Sequence, residues 1–361
     1  MTAGGPPGPP RGRLSPARWP APTPYTRGMD QPTPLRYLSA SDVAAAMPAL
    51  AERLALAEAT LRGLAGPAEL PAKIGIHPRP ENSFAHAMPA YLPGASADGS
   101  DDRLGVKWIL GFQGNAARGL PALSALLILN DPTSGLATAI LDAGPVTAQR
   151  TAAVSGVAIR AWAAPADPRR PRAALIGAGA QGHSHLPVIA GLLPGVELAV
   201  FDRDTARAGA LSETARSLEG IASAAVAPSA RAAVEGADVV VTAASFAPPS
   251  ERQAMTNDWL AANALVVPVD YATMCAAEVA RDAALFVTDH TEQFLANRDA
   301  GQFDGYPEPQ AMIGAALDRA APRPAGRIVV THLGTGLADV VFGSAILAEA
   351  ERRGLGTLLP R

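Results

Sequence analysis

The sequence predicts an α/β protein in which a parallel-sheet domain follows a mixed α+β domain. Three observations carry that expectation. The first is Ala173-Ala-Leu-Ile-Gly-Ala-Gly-Ala-Gln-Gly182, a short apolar run that breaks at Gly177, Gly179 and Gly182 and leads into a helix-like segment. The second is the alternation after it. Glu197-Leu-Ala-Val-Phe-Asp202 and then Ala237–Ala244 are further apolar runs, which gives a β-α-β-α-β order and implies a parallel sheet. The third is that this unit sits in mid-chain, behind a series of short strand-like runs separated by turns.

In such a strand-turn-helix, Gly177 permits the tight turn, Gly179 lets backbone approach a pyrophosphate, and Gly182 lets the helix pack against the strand; Ala180 and Gln181 complete the turn. A glycine pattern alone is weak in a chain with 34 glycines, and a ligand-free turn is its plain alternative. Asp202 strengthens it. It stands 20 residues after Gly182, where a carboxylate accepts hydrogen bonds from a ribose 2′-OH. A Rossmann-type dinucleotide site is therefore expected. Asp202 favours NAD, because a 2′-phosphate would meet a like charge, and Arg203 beside it softens that rejection enough to leave NADP open.

At 361 residues the chain is long enough for two domains with real cores. A net charge of −3 gives no broad attraction to nucleic acid or to an anionic membrane. No apolar run approaches the roughly 20 residues needed to span a bilayer. The single cysteine, Cys275, cannot form an intramolecular disulfide, which fits a cytoplasmic location, and it reads as a small buried residue rather than a nucleophile. Met1–Gly28 holds eight prolines and five glycines without apolar periodicity. It reads as disordered, or as an extension ahead of a start at Met29.

Order is expected from about Arg36. Ser39 or Ser41 caps a helix running to about Arg62. Strand candidates follow at Lys73–His77, Ala85–Leu92, Leu104–Phe112, Ala122–Leu129 and Leu136–Leu141, with Asn130–Gly135 as a turn and Ala95–Asp102 as a polar loop. A helix from Thr147, capped by Thr147, runs to about Ala163. Pro165–Pro171 is a linker, the strand-helix alternation is traced to about Asp289, and Gly334–Arg353 looks helical. The domain bounds are then 1–35 disordered, 36–146 mixed α+β and completed by 331–357, and 147–330 Rossmann.

Several motifs in one order resemble the ornithine cyclodeaminase and mu-crystallin superfamily. They are Leu104-Gly-Val-Lys-Trp108, Gly114-Asn115, Gly119-Leu-Pro121, Asp131, Gly135, Val146-Thr-Ala-Gln-Arg-Thr-Ala-Ala153, the turn Gly177–Gln181, Gly334–Asp339 and Gly354-Leu-Gly356. The resemblance spans roughly residues 36–357. It implies a mixed-sheet domain that binds substrate and makes a homodimer, a Rossmann domain, and redox chemistry at the carbon–nitrogen bond of amino and imino acids. It further implies that Lys107 binds the substrate carboxylate and is a catalytic residue, that Arg150 is the second carboxylate-binding cation, and that Thr151 lies near the cofactor phosphates. Arg79 is the best candidate for a third cation, and Asp270 for a catalytic carboxylate. From the residues alone each has a plainer alternative. Lys107 lies in an apolar run, either at a strand edge with its ammonium in water or buried against an anion. Arg150 can be an ordinary helix-surface arginine, and Asp270 a strand-end residue that caps a turn. His183 and His185 read as helix surface near the cofactor, with no metal expected.

One departure stands out. His86 takes the place of the glutamate that ornithine cyclodeaminase carries two residues before Met88-Pro89, and the Pro93–Arg103 loop is longer. The leading expectation is an NAD(P)-dependent enzyme most like ornithine cyclodeaminase, converting L-ornithine to L-proline and ammonia. The second is a ketimine reductase or alanine dehydrogenase-like oxidoreductase, motivated by His86. The third is a catalytically silent dinucleotide-binding protein.

Overall fold

A computed structural model describes residues 34–80, 83–165, 169–319 and 321–360, apart from the Ala116 side chain. The segment read as disordered lies outside these residues, except that Pro34 and Leu35 are described and Leu35 already belongs to a strand. The middle of the 165–171 linker also lies outside them.

The chain begins with β1 (Leu35–Leu38), α1 (Ala40–Ala45) and α2 (Leu50–Leu64). There follow β2 (Ile74–Ile76), β3 (Ser83–Leu92), β4 (Arg103–Phe112), β5 (Leu123–Asn130) and β6 (Ala137–Asp142). The strands β2 to β6 form an antiparallel meander, and β1 joins β6 in parallel. Side chains alternate across this sheet. On β4, Gly105, Lys107 and Gly111 are buried on one face, while Trp108 is exposed on the other.

After α3 (Ala143–Trp162) comes β7 (Arg172–Ile176), then α4 (Ala180–Leu192), β8 (Val196–Phe201), α5 (Thr205–Arg216), β9 (Ile221–Val226), α6 (Ala230–Val234) and β10 (Val239–Thr242). The second sheet is completed by β11 (Leu265–Pro268), α7 (Ala277–Arg281), β12 (Leu285–Thr288), α8 (Thr291–Asp299), β13 (Ala311–Met312), α9 (Ile313–Asp318) and β14 (Ile328–Thr331). Its order is β13-β12-β14-β11-β10-β7-β8-β9, with every pairing parallel. The central strands β10, β11 and β14 are buried at every position, as strands covered on both faces must be, which is why they read as continuous apolar runs. The chain then returns to the first sheet. α10 (Gly336–Arg352) packs on β3, β4 and β5, and β15 (Thr357–Leu359) pairs antiparallel with β1.

Three expectations need correction. The leading helix is two helices: Ser39 caps α1 in a reciprocal arrangement with Asp42, and Pro48 lies in the break before α2. The helix expected from Thr147 starts at Ala143, because the Asp142 side chain accepts the Gly144 N–H and caps it; Thr147 lies inside the helix. The alternation traced to Asp289 runs on through β13 and β14, which insert the last parallel strand pairings of the sheet.

Candidate active site

The strand order of the parallel sheet reverses between β7 and β10, and in such sheets ligands bind outside the carboxyl ends of the strands at that point. The glycine turn lies there. Gly177 has φ of 104°, and a methyl group on it would collide with the Ala243 carbonyl just past β10. A methyl group on Gly182 would collide with the Gly177 carbonyl. Gly179 differs: nothing lies within 4 Å of the place its side chain would take. Two of the glycines are thus required by the chain's own packing, and the third keeps space open. Gly179 is also the N-cap of α4 with no side-chain cap, so the first-turn N–H groups are left for an anion. Ala180 is exposed and Gln181 half-buried.

Asp202 is fixed against this turn. Its Oδ2 accepts the Ala178 N–H at 2.7 Å and its Oδ1 the Asp204 N–H at 2.8 Å, and each oxygen retains a lone pair for a further donor. Arg203 beside it is exposed. Thr151 is buried on α3 and donates to the Thr147 carbonyl at 2.7 Å; the Thr147 hydroxyl itself is buried without a partner. Open space at Gly179, an uncapped helix start and a locked carboxylate together fit a dinucleotide.

A cation cluster forms on the inner face of the first sheet. Lys107, opposite Met88 on β3 and Leu127 on β5, is only 1% exposed. Its ammonium pairs with Oδ2 of Asp339, a fully buried residue in the first turn of α10. Arg150 is buried as well, and its Nε donates to Oδ1 of the same carboxylate at 3.2 Å. The solvated alternatives for both residues therefore fail. Burial pushes the Lys107 ammonium down to about 7 against the opposing pull of Asp339. Gly334 has φ of 74°, and any side chain on it would strike the Arg150 guanidinium. With Lys107 protonated, two cations face the one Asp339 carboxylate, which suits a second, incoming carboxylate.

Lys73 adds a third cation that the sequence reading passed over. It is half-buried and donates to the Leu333 carbonyl at 2.7 Å and to the Tyr271 hydroxyl at 3.0 Å. Its charge contributes to the lowering of Lys107. Arg79 is exposed and is not brought to this cluster among the described contacts. Asp339 was visible only as the end of a motif. A lysine heading a short exposed strand and an aspartate opening a helix carry no periodic signal that would have joined them to Lys107.

Asp270 lies just after β11, at the end of a strand of the second sheet. It is 3% exposed and accepts the Thr242 hydroxyl at 2.8 Å and the Ala244 N–H at 3.0 Å. Burial outweighs these bonds and pushes its carboxyl up to about 7. Tyr271 next to it has φ of 61°, a left-handed conformation that costs energy for a residue with a side chain. Its ring stacks on Phe303 and meets Phe246 edge-on, and its hydroxyl is the partner of Lys73. Tyr271 thus ties the Asp270 turn to the cation cluster. His86 lies on the Lys107 face of the first sheet, opposite Ile109 and stacked on Phe84. Burial first, then Lys73, His77 and Lys107, push it down to about 4, so it is neutral at physiological pH.

The remaining candidates divide. His183 is exposed as expected, but His185 is fully buried, because α4 turns it inward against α3. Cys275 is buried and its thiol is pushed up to about 12, the opposite of a reactive thiolate. Among the described residues no group of three His, Cys, Asp or Glu is placed to hold a metal ion.

The model for the ornithine cyclodeaminase/mu-crystallin family matches residues 37–317. The chain belongs to this family. Within reach by sequence is the nodulation efficiency protein NfeD of Rhizobium meliloti, 36% identical over 334 residues that cover 90% of this chain and 98% of that one. Among solved structures of the fold, the Δ1-pyrroline-2-carboxylate reductase of Thermococcus litoralis, in complex with NADH and L-proline, has a TM-score of 0.75 at 24% identity, covering 90% of this chain and all of that one. A lysine cyclodeaminase that recognises L-lysine, L-ornithine and L-2,4-diaminobutyric acid has a TM-score of 0.73 at 25% identity, covering 91% of this chain and 96% of that one.

Proposed function

We propose that this chain is a nicotinamide-dinucleotide-dependent oxidoreductase of an imino or amino acid, reducing a carbon–nitrogen double bond or oxidising the matching amine. The observation that carries the reading is the pairing of two buried cations on one carboxylate, Lys107 and Arg150 on Asp339, on the side of the molecule that Tyr271 links to the Asp270 turn. Lys107 and Arg150 bind the substrate carboxylate, and Lys73 supports them. When bound along Gly177–Gly182 and Asp202, the dinucleotide supplies or accepts a hydride. NAD is preferred over NADP because the fixed Asp202 carboxylate repels a 2′-phosphate.

Asp270 is the proton carrier. A carboxyl near 7 exists in both forms at neutral pH, so it can give a proton to the substrate nitrogen as the amine forms, or take one in the reverse direction. The buried Thr242 hydroxyl and Ala244 N–H hold its orientation.

Reduction is favoured over full cyclodeamination by the surroundings of His86. His86, where ornithine cyclodeaminase carries a glutamate, is neutral, and the charges that act on it are those of Lys73, His77 and Lys107, so it offers no anion to a distal ammonium. A panel of pyrroline-2-carboxylate, piperideine-2-carboxylate, alanine, ornithine and lysine, each with NAD(H) and NADP(H), tests this. Stoichiometric dinucleotide consumption with an imine supports it. Conversion of ornithine to proline and ammonia without net dinucleotide turnover overturns it in favour of the cyclodeaminase, and dinucleotide binding without any turnover favours a silent binding protein.

A homodimer completes the proposal. The outer face of the first sheet carries Ile74, Ile76, Trp108 and Leu126 exposed.

A further inference from the structure

A buried chain of polar side chains joins the two sides of the site and takes no part in the chemistry above. His185 on α4, Ser155 on α3 and His332 just past β14 are all at least 97% buried. His185 Nδ1 lies 2.6 Å from the Gln181 carbonyl, His185 Nε2 lies 2.8 Å from Ser155 Oγ, and Ser155 Oγ lies 2.9 Å from His332 Nε2. His332 Nδ1 is buried without a partner.

One fixed acceptor sets every proton in the chain. The Gln181 carbonyl can only accept, so His185 Nδ1 carries the hydrogen and its Nε2 is bare. The Ser155 hydroxyl must then donate to His185 Nε2, and its lone pairs accept from His332 Nε2–H. That leaves His332 Nδ1 as a bare acceptor with no donor, a costly state for a buried group. His332 lines a cavity of about 10 Å3 together with Arg150, Asp289, Gly334 and Thr335. That is about the space of one water molecule, and Arg150 has only its Nε committed to Asp339.

The ends of the chain matter. Gln181 belongs to the first turn of the glycine-turn helix. His332 opens the loop whose Leu333 carbonyl holds Lys73 and whose Gly334 lies against Arg150. We propose that Ser155, His185 and His332 are positioning residues: a hydrogen-bonded link of fixed direction that registers the glycine-turn helix with the carboxylate-binding cations, closed at its open end by one buried water donating to His332 Nδ1 and accepting from Arg150. Both rings lie far below the ordinary histidine range, His185 at about 4 and His332 at about 3, with burial as the leading cause, so the link keeps its direction across physiological pH. The coupling part rests on the oxidoreductase reading; the proton directions do not.

The test uses the full-length chain labelled with 15N-histidine and side-chain 15N–1H correlation spectra, with His185→Gln and His332→Gln for assignment. His185 should show the Nδ1–H tautomer and His332 the Nε2–H tautomer, both unchanged between pH 8 and 5.5. A His332 Nδ1–H tautomer, or titration of either ring near 6.5, overturns the proposal without any ligand present. Ser155→Ala should then raise the KM of the carboxylate substrate about tenfold with a much smaller change in kcat, while His332→Gln, which keeps a donor toward Ser155, should fall between it and the parent. An unchanged KM in Ser155→Ala refutes the positioning role. Correct tautomers in a chain that binds no dinucleotide would instead place the failure in the oxidoreductase reading.

Discussion

Lys107 and Asp270 are two buried groups that both titrate near 7, from opposite directions, and the signs can be worked out for each. Lys107 is lowered, so the unfolded chain binds more protons between about 7 and its ordinary 10.5, and the folded protein gains stability as pH rises through that window. A substrate carboxylate reverses the shift. Binding should take up a proton at pH 8, measurable by calorimetry in buffers of different ionisation heat, and affinity should weaken as pH rises above about 7. Asp270 is raised, so the folded chain binds more protons between 3.8 and about 7, and stability falls as pH rises through that range. Asp270→Asn should remove this slope, leaving a variant at least as stable as the parent at pH 8 by thermal melting, while kcat drops by about 10²–10⁴-fold. Unchanged kcat in that variant would remove Asp270 from the chemistry. Asp339→Ala acts on the same cluster with the opposite result for stability. It leaves two buried cations without their shared anion and should cost about 3–5 kcal/mol in denaturant unfolding.

At the scale of elements, the glycine turn separates packing from ligand binding. Gly177→Ala and Gly182→Ala each press a methyl group into a backbone carbonyl and should destabilise the fold by about 1–3 kcal/mol or more. Gly179→Ala meets nothing in the protein, so its melting temperature should match the parent while dinucleotide affinity, read by fluorescence titration, falls sharply. Equal affinity in Gly179→Ala would mean that nothing approaches the turn there. These elements were legible in the sequence because each carries its own signal: a continuous apolar run for a strand buried on both faces, glycines where backbone meets backbone, and an aspartate closing the next strand. The strands β1 and β15 were not. They are four and three residues long, too short for a period to show, and they pair across almost the whole chain, Leu35 against Leu359. Thr147 misled for a related reason, since a threonine inside a helix and a threonine at its cap look alike until Asp142 is seen to hold the Gly144 N–H.

Across the whole molecule, the first sheet turns one face to α10 and the site and the other outward with exposed Ile74, Ile76, Trp108 and Leu126. Light scattering should give twice the chain mass of 36.8 kDa, and Trp108→Glu combined with Leu126→Lys should return the monomer. A parent chain of single mass would leave that face unexplained. The site itself was half legible. Lys107 and Arg150 stand in motifs and Asp270 ends a strand, whereas Asp339, the last residue of another motif, and Lys73 reach them only through the return of α10 and the link to Tyr271, contacts that local sequence cannot encode. The most direct test of the site is a crystal structure with NAD and L-proline. The proline carboxylate should lie within about 3 Å of both Lys107 Nζ and the Arg150 guanidinium, with its nitrogen toward Asp270. A carboxylate bound elsewhere, with the Lys107–Asp339–Arg150 cluster unchanged and remote from the ligand, would contradict it.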